Sequence, residues 1–157
     1  MDESSETNIS PCGRTPTTAC KDLNEGVEKT AWSGTVLIIG NYHIQRTIIL
    51  SRSILITTDN IQKAKITSIG TIDFAFELIC GREFTVELKG LRLENIGVLD
   101  VQCEFNKPSI ELDGITVTNI TGDKRTIQIV GWGDKGMFVE VRYEMQHQYI
   151  HHVLHLD

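Results

Sequence analysis

An eleven-residue segment of this chain occurs twice without gaps, and this repeat limits the possible folds more than any other feature of the sequence. Val86–Ile96 reads VELKGLRLENI and Ile110–Ile120 reads IELDGITVTNI, at an offset of 24 residues. Leu, Gly, Asn and Ile recur at equivalent positions, and apolar residues alternate with polar ones on both sides of the glycine. Alternation with a period of two is typical of strands that bury one side. Each copy therefore predicts two short strands joined at a glycine bend.

The length of the repeat distinguishes among the β architectures. Short strands separated by turn signals such as Gly40-Asn41 and Asp59-Asn60 fit a sandwich, a barrel or a solenoid. A 24-residue unit with tight bends is the size of one coil of a parallel β-helix, in which equivalent positions stack about 4.8 Å apart. We therefore expect a solenoid in preference to a sandwich.

Composition agrees with a β-rich domain and argues against several classes of protein. Ile, Thr and Val together make 46 of the 157 residues, against four Ala, and this balance favours strands over helices. A chain that is 40% hydrophobic and 23% charged is not typical of disorder, and no apolar run is long enough to span a bilayer. The net charge of −6 disfavours nucleic acid as a partner. We expect no nucleic-acid binding and no membrane insertion.

The N-terminal residues give conflicting indications of the compartment. Residues 1–10 are polar and acidic, and they contain no signal peptide. The turn-rich segment that follows contains Cys12 and Cys20 without zinc-ligand spacing, so a disulfide and two thiols are equally open from spacing alone. Glycosylation sequons begin at Asn8 and Asn119. A chain that is part of a longer secreted protein would explain all of these features.

One short helix is expected before the strands. Residues 22–32 are the candidate, with Leu23, Val27 and Trp32 on one side. The chain then divides into a disordered leader (1–10), a Cys loop with the short capping helix (11–32), β-helix coils (33–130) and a degenerate last coil or tail (131–157).

Two C-terminal features match motifs without the context that those motifs need. Gly131–Gly136 fits Gly-x-Gly-x-x-Gly, but a strand-like segment follows it and no βαβ unit surrounds it, so we interpret it as a turn. His147, His151 and His155 would share one side of a helix, with His152 beside them, and such a cluster can bind zinc or nickel adventitiously. We favour a frayed tail there.

Two further segments carry a family resemblance. Ser33–Ile44, SGTVLIIGNYHI, is similar to the opening coil of pectate-lyase-like proteins, and both repeat copies resemble their recurring coil. Cys12-Gly, followed by Ala-Cys20-Lys-Asp-Leu23, resembles the Cys-Gly…Pro-Cys-x-x-Leu opening of large eukaryotic secreted or surface β-helix proteins, with Ala19 in place of Pro. The resemblance implies an all-β fold, a single-stranded right-handed parallel β-helix of about four coils with a short N-terminal capping helix.

The resemblance also bears on the cysteines. In such extracellular proteins the N-terminal pair is bonded, which favours a Cys12–Cys20 disulfide. Cys80 and Cys103 are 23 residues apart, so an insertion of one residue would place them at equivalent positions of neighbouring coils, within disulfide reach. Two small buried side chains stacked in the core are at least as compatible with that spacing.

Asn95 and Asn119 have two competing interpretations. The resemblance implies an inward ladder in which their side-chain amides hydrogen-bond at equivalent bends. Alternatively, Asn119 accepts a glycan through its sequon. The two roles exclude each other at Asn119, and we favour the ladder.

The outward positions of the repeat define the expected binding surface. They are Glu87, Lys89, Arg92, Glu94, Glu111, Thr116 and Thr118. We expect this face to contact glycans or protein partners, as a non-catalytic structural and recognition module of a secreted or cell-surface protein. Because an uncapped solenoid exposes strand edges, we also expect self-association or a longer native chain.

No catalytic residue, metal or cofactor is expected. Polysaccharide lyases of this fold resemble one another in a calcium-binding acidic cluster with a basic residue, and the hydrolases in Asn-Thr-Asp, Asp-Asp and Gly-His-Gly motifs. The hydrolase motifs do not occur, and Asp100, Glu111 and Asp113 have no Arg or His at equivalent spacing. The alternative functions are a remnant or fragment of a polysaccharide lyase or hydrolase, and a cytosolic scaffold.

Overall fold

The computed structural model describes residues 20, 22–58, 64–103, 108–119, 127–131, 137–145 and 148–156. These residues form a parallel β-solenoid of about three turns with a short N-terminal helix. The helix α1 spans Leu23–Lys29. The strands are β1 Gly34–Ile38, β2 Asn41–Ile44, β3 Ile48–Leu50, β4 Ile54–Thr58, β5 Lys65–Ser68, β6 Phe74–Ile79, β7 Thr85–Lys89, β8 Arg92–Glu94, β9 Gly97–Cys103, β10 Ser109–Thr118, β11 Ile127–Gly131, β12 Met137–Met145 and β13 Gln148–Leu156.

The coils stack their strands into three faces. The first face consists of β1, β4, β7 and the first half of β10, and the second face of β2, β5, β8 and the second half of β10. The third face is the separate sheet of β3, β6, β9 and β11. All of these pairs are parallel. The predicted parallel β-helix is confirmed, and the four strands stacked on each face correspond to about three turns of chain.

The strand register reproduces the sequence repeat. Val86 lies opposite Ile110 and Leu88 opposite Leu112, while Arg92 lies opposite Thr116. Each pair keeps the 24-residue offset that the sequence shows. The prediction that the two copies occupy equivalent positions of successive coils is therefore confirmed.

Four residues at the bends of the repeat have left-handed backbone conformations. Gly90 and Gly114 have φ of 70° and 62°, and Asn95 and Asn119 have φ of 57° and 56°. Glycine and asparagine are the residues that adopt this region at the lowest cost. A Cβ at Gly90 would also lie 2.9 Å from Thr58 Oγ1. The repeat thus conserves turn geometry as well as strand pattern.

The inward side chains form one continuous hydrophobic core. On the third face Ile48, Phe76 and Leu99 stack in register, and each is at most 1% exposed. The other two faces contribute equivalent inward rows to the same core, including Ile56 and Leu88. Burial of such rows is the main stabilising contribution in a fold whose local contacts are few.

Helix α1 closes the N-terminal end of this core, as predicted. Asp22 caps it by accepting a hydrogen bond from the backbone N–H of Asn24 at 2.9 Å, and Leu23 and Val27 are buried. Trp32 is 43% exposed, so its expected position on the buried side is wrong. The guanidinium of Arg82 instead lies 3.8 Å from the centre of its ring.

The C-terminal residues continue the sheet of the first two faces. Strand β12 pairs in parallel with β10, and β13 pairs antiparallel with β12 over its full length. Because residues 148–156 form a strand, the helical spacing considered for the histidines does not apply. Residues 132–136, His147 and the leader lie outside the described residues.

Candidate functional site

The outer surface of the first and second faces carries all seven residues that the sequence predicts there. In β7, Glu87 and Lys89 alternate with buried Val86 and Leu88, because successive side chains of a strand point to opposite sides. The same alternation brings further polar side chains to the outside of β2, β5 and β10. Together we call these residues the outer polar surface: Asn41, His43, Lys65, Thr67, Glu87, Lys89, Arg92, Glu94, Glu111, Asp113, Thr116 and Thr118.

On the second face these residues form two parallel rows. Neighbouring strands place Asn41, Lys65, Arg92 and Thr116 in one row. They place His43, Thr67, Glu94 and Thr118 in the other. Consecutive members of a row are separated by the strand spacing of about 4.8 Å. The result is a regular, flat array of side-chain donors and acceptors.

Lys89 is the centre of an ion-pair cluster on the first face. Its Nζ lies 2.8 Å from Glu87 Oε2 and 3.2 Å from Glu111 Oε1. Glu87 and Glu111 are direct cross-strand neighbours, and the shared lysine offsets the repulsion that such a carboxylate pair would otherwise have. The hydrogen bond to Glu87 and, after it, the one to Glu111 raise the pKa of Lys89, against the opposing effect of partial desolvation.

Glu94 is the corresponding centre on the second face. Lys65 Nζ contacts Glu94 Oε2, and Asn119 Nδ2 donates a hydrogen bond to Glu94 Oε1 at 3.1 Å. The hydrogen bond from Lys65 is the main cause that lowers the pKa of Glu94 below its ordinary value. The carboxylate is therefore held in its charged form with both oxygens in contact with donors.

His43 and Thr67 extend the same row toward the first coil. The Thr67 hydroxyl and His43 Nδ1 are 2.5 Å apart, and the hydroxyl also lies 3.5 Å from the carbonyl oxygen of Tyr42. Neither residue was among the predicted site residues. The signal that identifies them is the spacing of 24 residues between His43 and Thr67, which equals the period of the repeat.

The electrostatics of the outer polar surface favour binding over proton transfer. General acid–base catalysis works best when a group titrates near the operating pH. The environments of Lys89 and Glu94 move their pKa values away from neutrality. Both groups therefore keep their charges at neutral pH, which suits recognition of a polar ligand.

The three acidic residues weighed as a catalytic group do not come together. Glu111 and Asp113 lie on the first face, whereas Asp100 lies on β9 of the third face. Asp100 is buried, and its Oδ2 accepts a hydrogen bond from Gln102 Nε2 at 2.9 Å. Among the described residues, no group of three His, Cys, Asp or Glu side chains is arranged to hold a metal ion.

The predicted inward orientation of Asn95 and Asn119 is wrong. Both side chains are exposed, and Asn119 directs its amide to Glu94 on the outside. Their equivalence instead comes from the left-handed backbone at each position, where asparagine is the most tolerant residue after glycine. Glycosylation of Asn119 stays a prediction.

The cysteine pair ranked lower from the sequence is disulfide-bonded in the structure. Cys80 and Cys103 follow or end the adjacent strands β6 and β9, with their Cα atoms 4.9 Å apart. The alternative of two stacked thiols is therefore wrong. Cys12 lies outside the described residues, so the Cys12–Cys20 disulfide stays a prediction.

A shallow cleft of about 230 Å³ lies between α1 and the β3–β4 turn. The Arg52 guanidinium in this cleft donates hydrogen bonds to the carbonyl oxygens of Val27 and Glu28, the latter at 2.9 Å. These bonds satisfy carbonyl groups at the end of the helix. The polar group of the cleft thus has a structural partner.

No protein-family model, curated protein or solved structure matches this chain. The pectate-lyase-like resemblance therefore rests on the sequence motifs alone. Within the described part of the chain, no helix is long and apolar enough to cross a membrane.

Proposed function

We propose that this chain is a non-catalytic structural and recognition module of a secreted or cell-surface β-solenoid protein. It binds an extended glycan or a protein partner along the outer polar surface. The observation that carries the proposal is the pair of in-register rows on the second face, which present hydroxyl, amide and charged groups at one regular spacing. Polymers with repeated hydroxyl groups or extended polypeptides offer matching partners at intervals.

The state of the charged groups supports this proposal over catalysis. Glu94 and Lys89 lie in ion pairs that fix their charges and their side-chain positions. Pre-positioned groups lose less conformational entropy when a ligand binds. Arg92 is exposed and forms no ion pair within 4 Å to any described residue, so its guanidinium is available to a ligand.

Screening the folded chain on a glycan array, with a parallel assay for product release from pectin-like polymers, tests the proposal. We expect binding without product release. Arg92→Ala should weaken binding about tenfold, a loss typical of one charge-assisted hydrogen bond. Arg82→Ala is the matched control, because it removes the same charge at an exposed position beside Trp32, away from the rows.

The outcomes separate the three functional classes. Release of oligosaccharide products would replace the proposal with the lyase or hydrolase alternative. Equal loss of binding in Arg92→Ala and Arg82→Ala would show that the rows of the second face are not the binding surface. Native protein with four reduced cysteines would favour the cytosolic scaffold.

A further inference from the structure

The outer edge of β13 is the longest strand edge that no described strand pairs with. Sheet pairing along this side of the solenoid runs from β10 to β12 and ends at β13. All nine residues of Gln148–Leu156 are in register with Met137–Met145 of β12. Because a strand has two hydrogen-bonding edges and β12 takes one, the other edge presents a row of backbone N–H and C=O groups.

The N-terminal end of the solenoid is protected in a way that β13 is not. There α1 contacts β1 and β3, and Leu23 and Val27 cover the interior. The first-coil strands are also short, with three to five residues each. Short edges and covering helices are common devices that prevent edge-to-edge pairing.

The sequence of β13 contains none of the residues that usually block edge pairing. Its nine residues, QYIHHVLHL, include no Lys, Arg, Asp, Glu, Pro or Gly. Five are large apolar or aromatic residues of the kind enriched in paired strands. At about 3.4 Å per residue the edge is roughly 30 Å long.

We propose that β13 pairs antiparallel with β13 of a second copy of this chain, which forms a two-fold symmetric dimer. A second copy presents the same edge, and antiparallel pairing of identical edges satisfies both rows of backbone groups at once. The chain carries a net charge of −6, so two copies repel over most of their surfaces. With neutral histidines, β13 is a long stretch at which they meet without charge repulsion.

Sedimentation or light scattering of the full chain over a wide concentration range tests the proposal. We expect a particle of twice the 17.6 kDa chain mass that dissociates on dilution. Hydrogen exchange on the same samples should show that β13 amides become more protected as the dimer forms. A monomer at the highest concentration, or a dimer whose added protection lies outside β13, would overturn the proposal.

A pair of lysine variants locates the interface. His152→Lys places a charge at the middle of β13, where it would meet the same charge of the other copy, and we expect at least a tenfold weaker dimer. Ile49→Lys is the control, because Ile49 is exposed on the third face of the first coil and the variant adds the same charge. It should leave the dimer unchanged.

Either reversal of this pattern would contradict the proposal. A dimer weakened by Ile49→Lys and unaffected by His152→Lys would place the interface on another surface. Circular dichroism of both variants shows whether they fold. If His152→Lys does not fold, the concentration-dependent exchange of the unmodified chain decides the question by itself.

Discussion

The first two coils and the last two coils share one interior but differ at their corners. Thr85 pairs with Ser109 and Arg92 with Thr116, at the same offset. In the first two coils Gly34 pairs with Ile54 twenty residues later, whereas Ile48 pairs with Phe76 at a separation of 28 residues. Turns of equal length make a repeat visible in the sequence, and turns of unequal length hide it although the strands stack equally well.

The outsides of the two halves differ as well. On the first face, the first two coils present Thr35, Leu37 and Leu55 at outward positions, whereas the next two present Glu87 and Glu111 in the same row as Thr35 and Leu55. The interior selects apolar residues in every coil, but the outside is free to vary. Charge on the outer polar surface is therefore a property of the later coils and not of the fold.

The largest expected effect tests how far the first coil depends on its helix. Val27→Asp buries a carboxylate against the core, and we expect a loss of about 4 kcal/mol in the free energy of unfolding, measured by urea denaturation. Glu28→Ala is the control on the same helix, since Glu28 is exposed and its 3.5 Å ion pair with Arg46 contributes little. Equal effects of the two variants would show that α1 does not cap the core.

The next effect concerns the covalent link between the two halves. The Cys80–Cys103 disulfide closes a loop across 23 residues between the second and third coils. Cys80→Ala/Cys103→Ala should lower the free energy of unfolding by about 3 kcal/mol, mainly because the unfolded chain gains freedom. The measurement is urea unfolding under non-reducing conditions. An unchanged midpoint would contradict a stabilising role for this disulfide.

A smaller effect compares one bend from each half. Gly40 and Gly90 both have positive φ, but a Cβ at Gly40 would meet nothing within 4 Å, whereas one at Gly90 would meet Thr58 Oγ1 at 2.9 Å. We expect Gly40→Ala to cost about 1 kcal/mol for backbone strain alone. Gly90→Ala should cost about 2 kcal/mol, because the hydroxyl of Thr58 must also move. Thermal unfolding of both variants measures the difference, and equal costs would mean that the Thr58 contact is unimportant.

The smallest expected effect is the pH dependence of the ion pair at Glu94. Contact with Lys65 lowers the pKa of Glu94 below 4.5, so its contribution to stability is present above the unfolded-state pKa and is lost as the pH falls through the folded-state pKa. Glu94→Gln should therefore lose less stability than the unmodified chain when the pH is lowered into this range. Glu83→Gln, at an exposed position without a described ion pair, is the control. Parallel pH profiles of Glu94→Gln and the unmodified chain would contradict the predicted effect.

The sequence predicted the stacking of β7 and β10 because local alternation and a constant offset coincide there. It did not reveal β2, because Gly40-Asn41 reads as a turn signal, whereas Asn41 begins the strand. The outward residues of the repeat were predictable from alternation. Lys65 as the partner of Glu94 was not, since the two are 29 residues apart and only stacking brings them together.

The asparagines and the second cysteine pair show the same limit. The sequence identified Asn95 and Asn119 as equivalent, but their outward orientation follows from the left-handed backbone at the bend. It placed Cys80 and Cys103 within reach, and the register of β6 and β9 decides that they bond.

The sequence by itself determined the fold class, the capping helix and the repeat at the centre of the solenoid. Periodicity and turn residues are local, so they can be read along the chain without knowledge of distant contacts. Only the tertiary structure decided which polar side chains share a row, which cysteines bond and which strand edge stays open. Those depend on how many residues each corner contains, because a single residue added at a corner shifts the pairing of the next strand and turns every side chain on it to the opposite side.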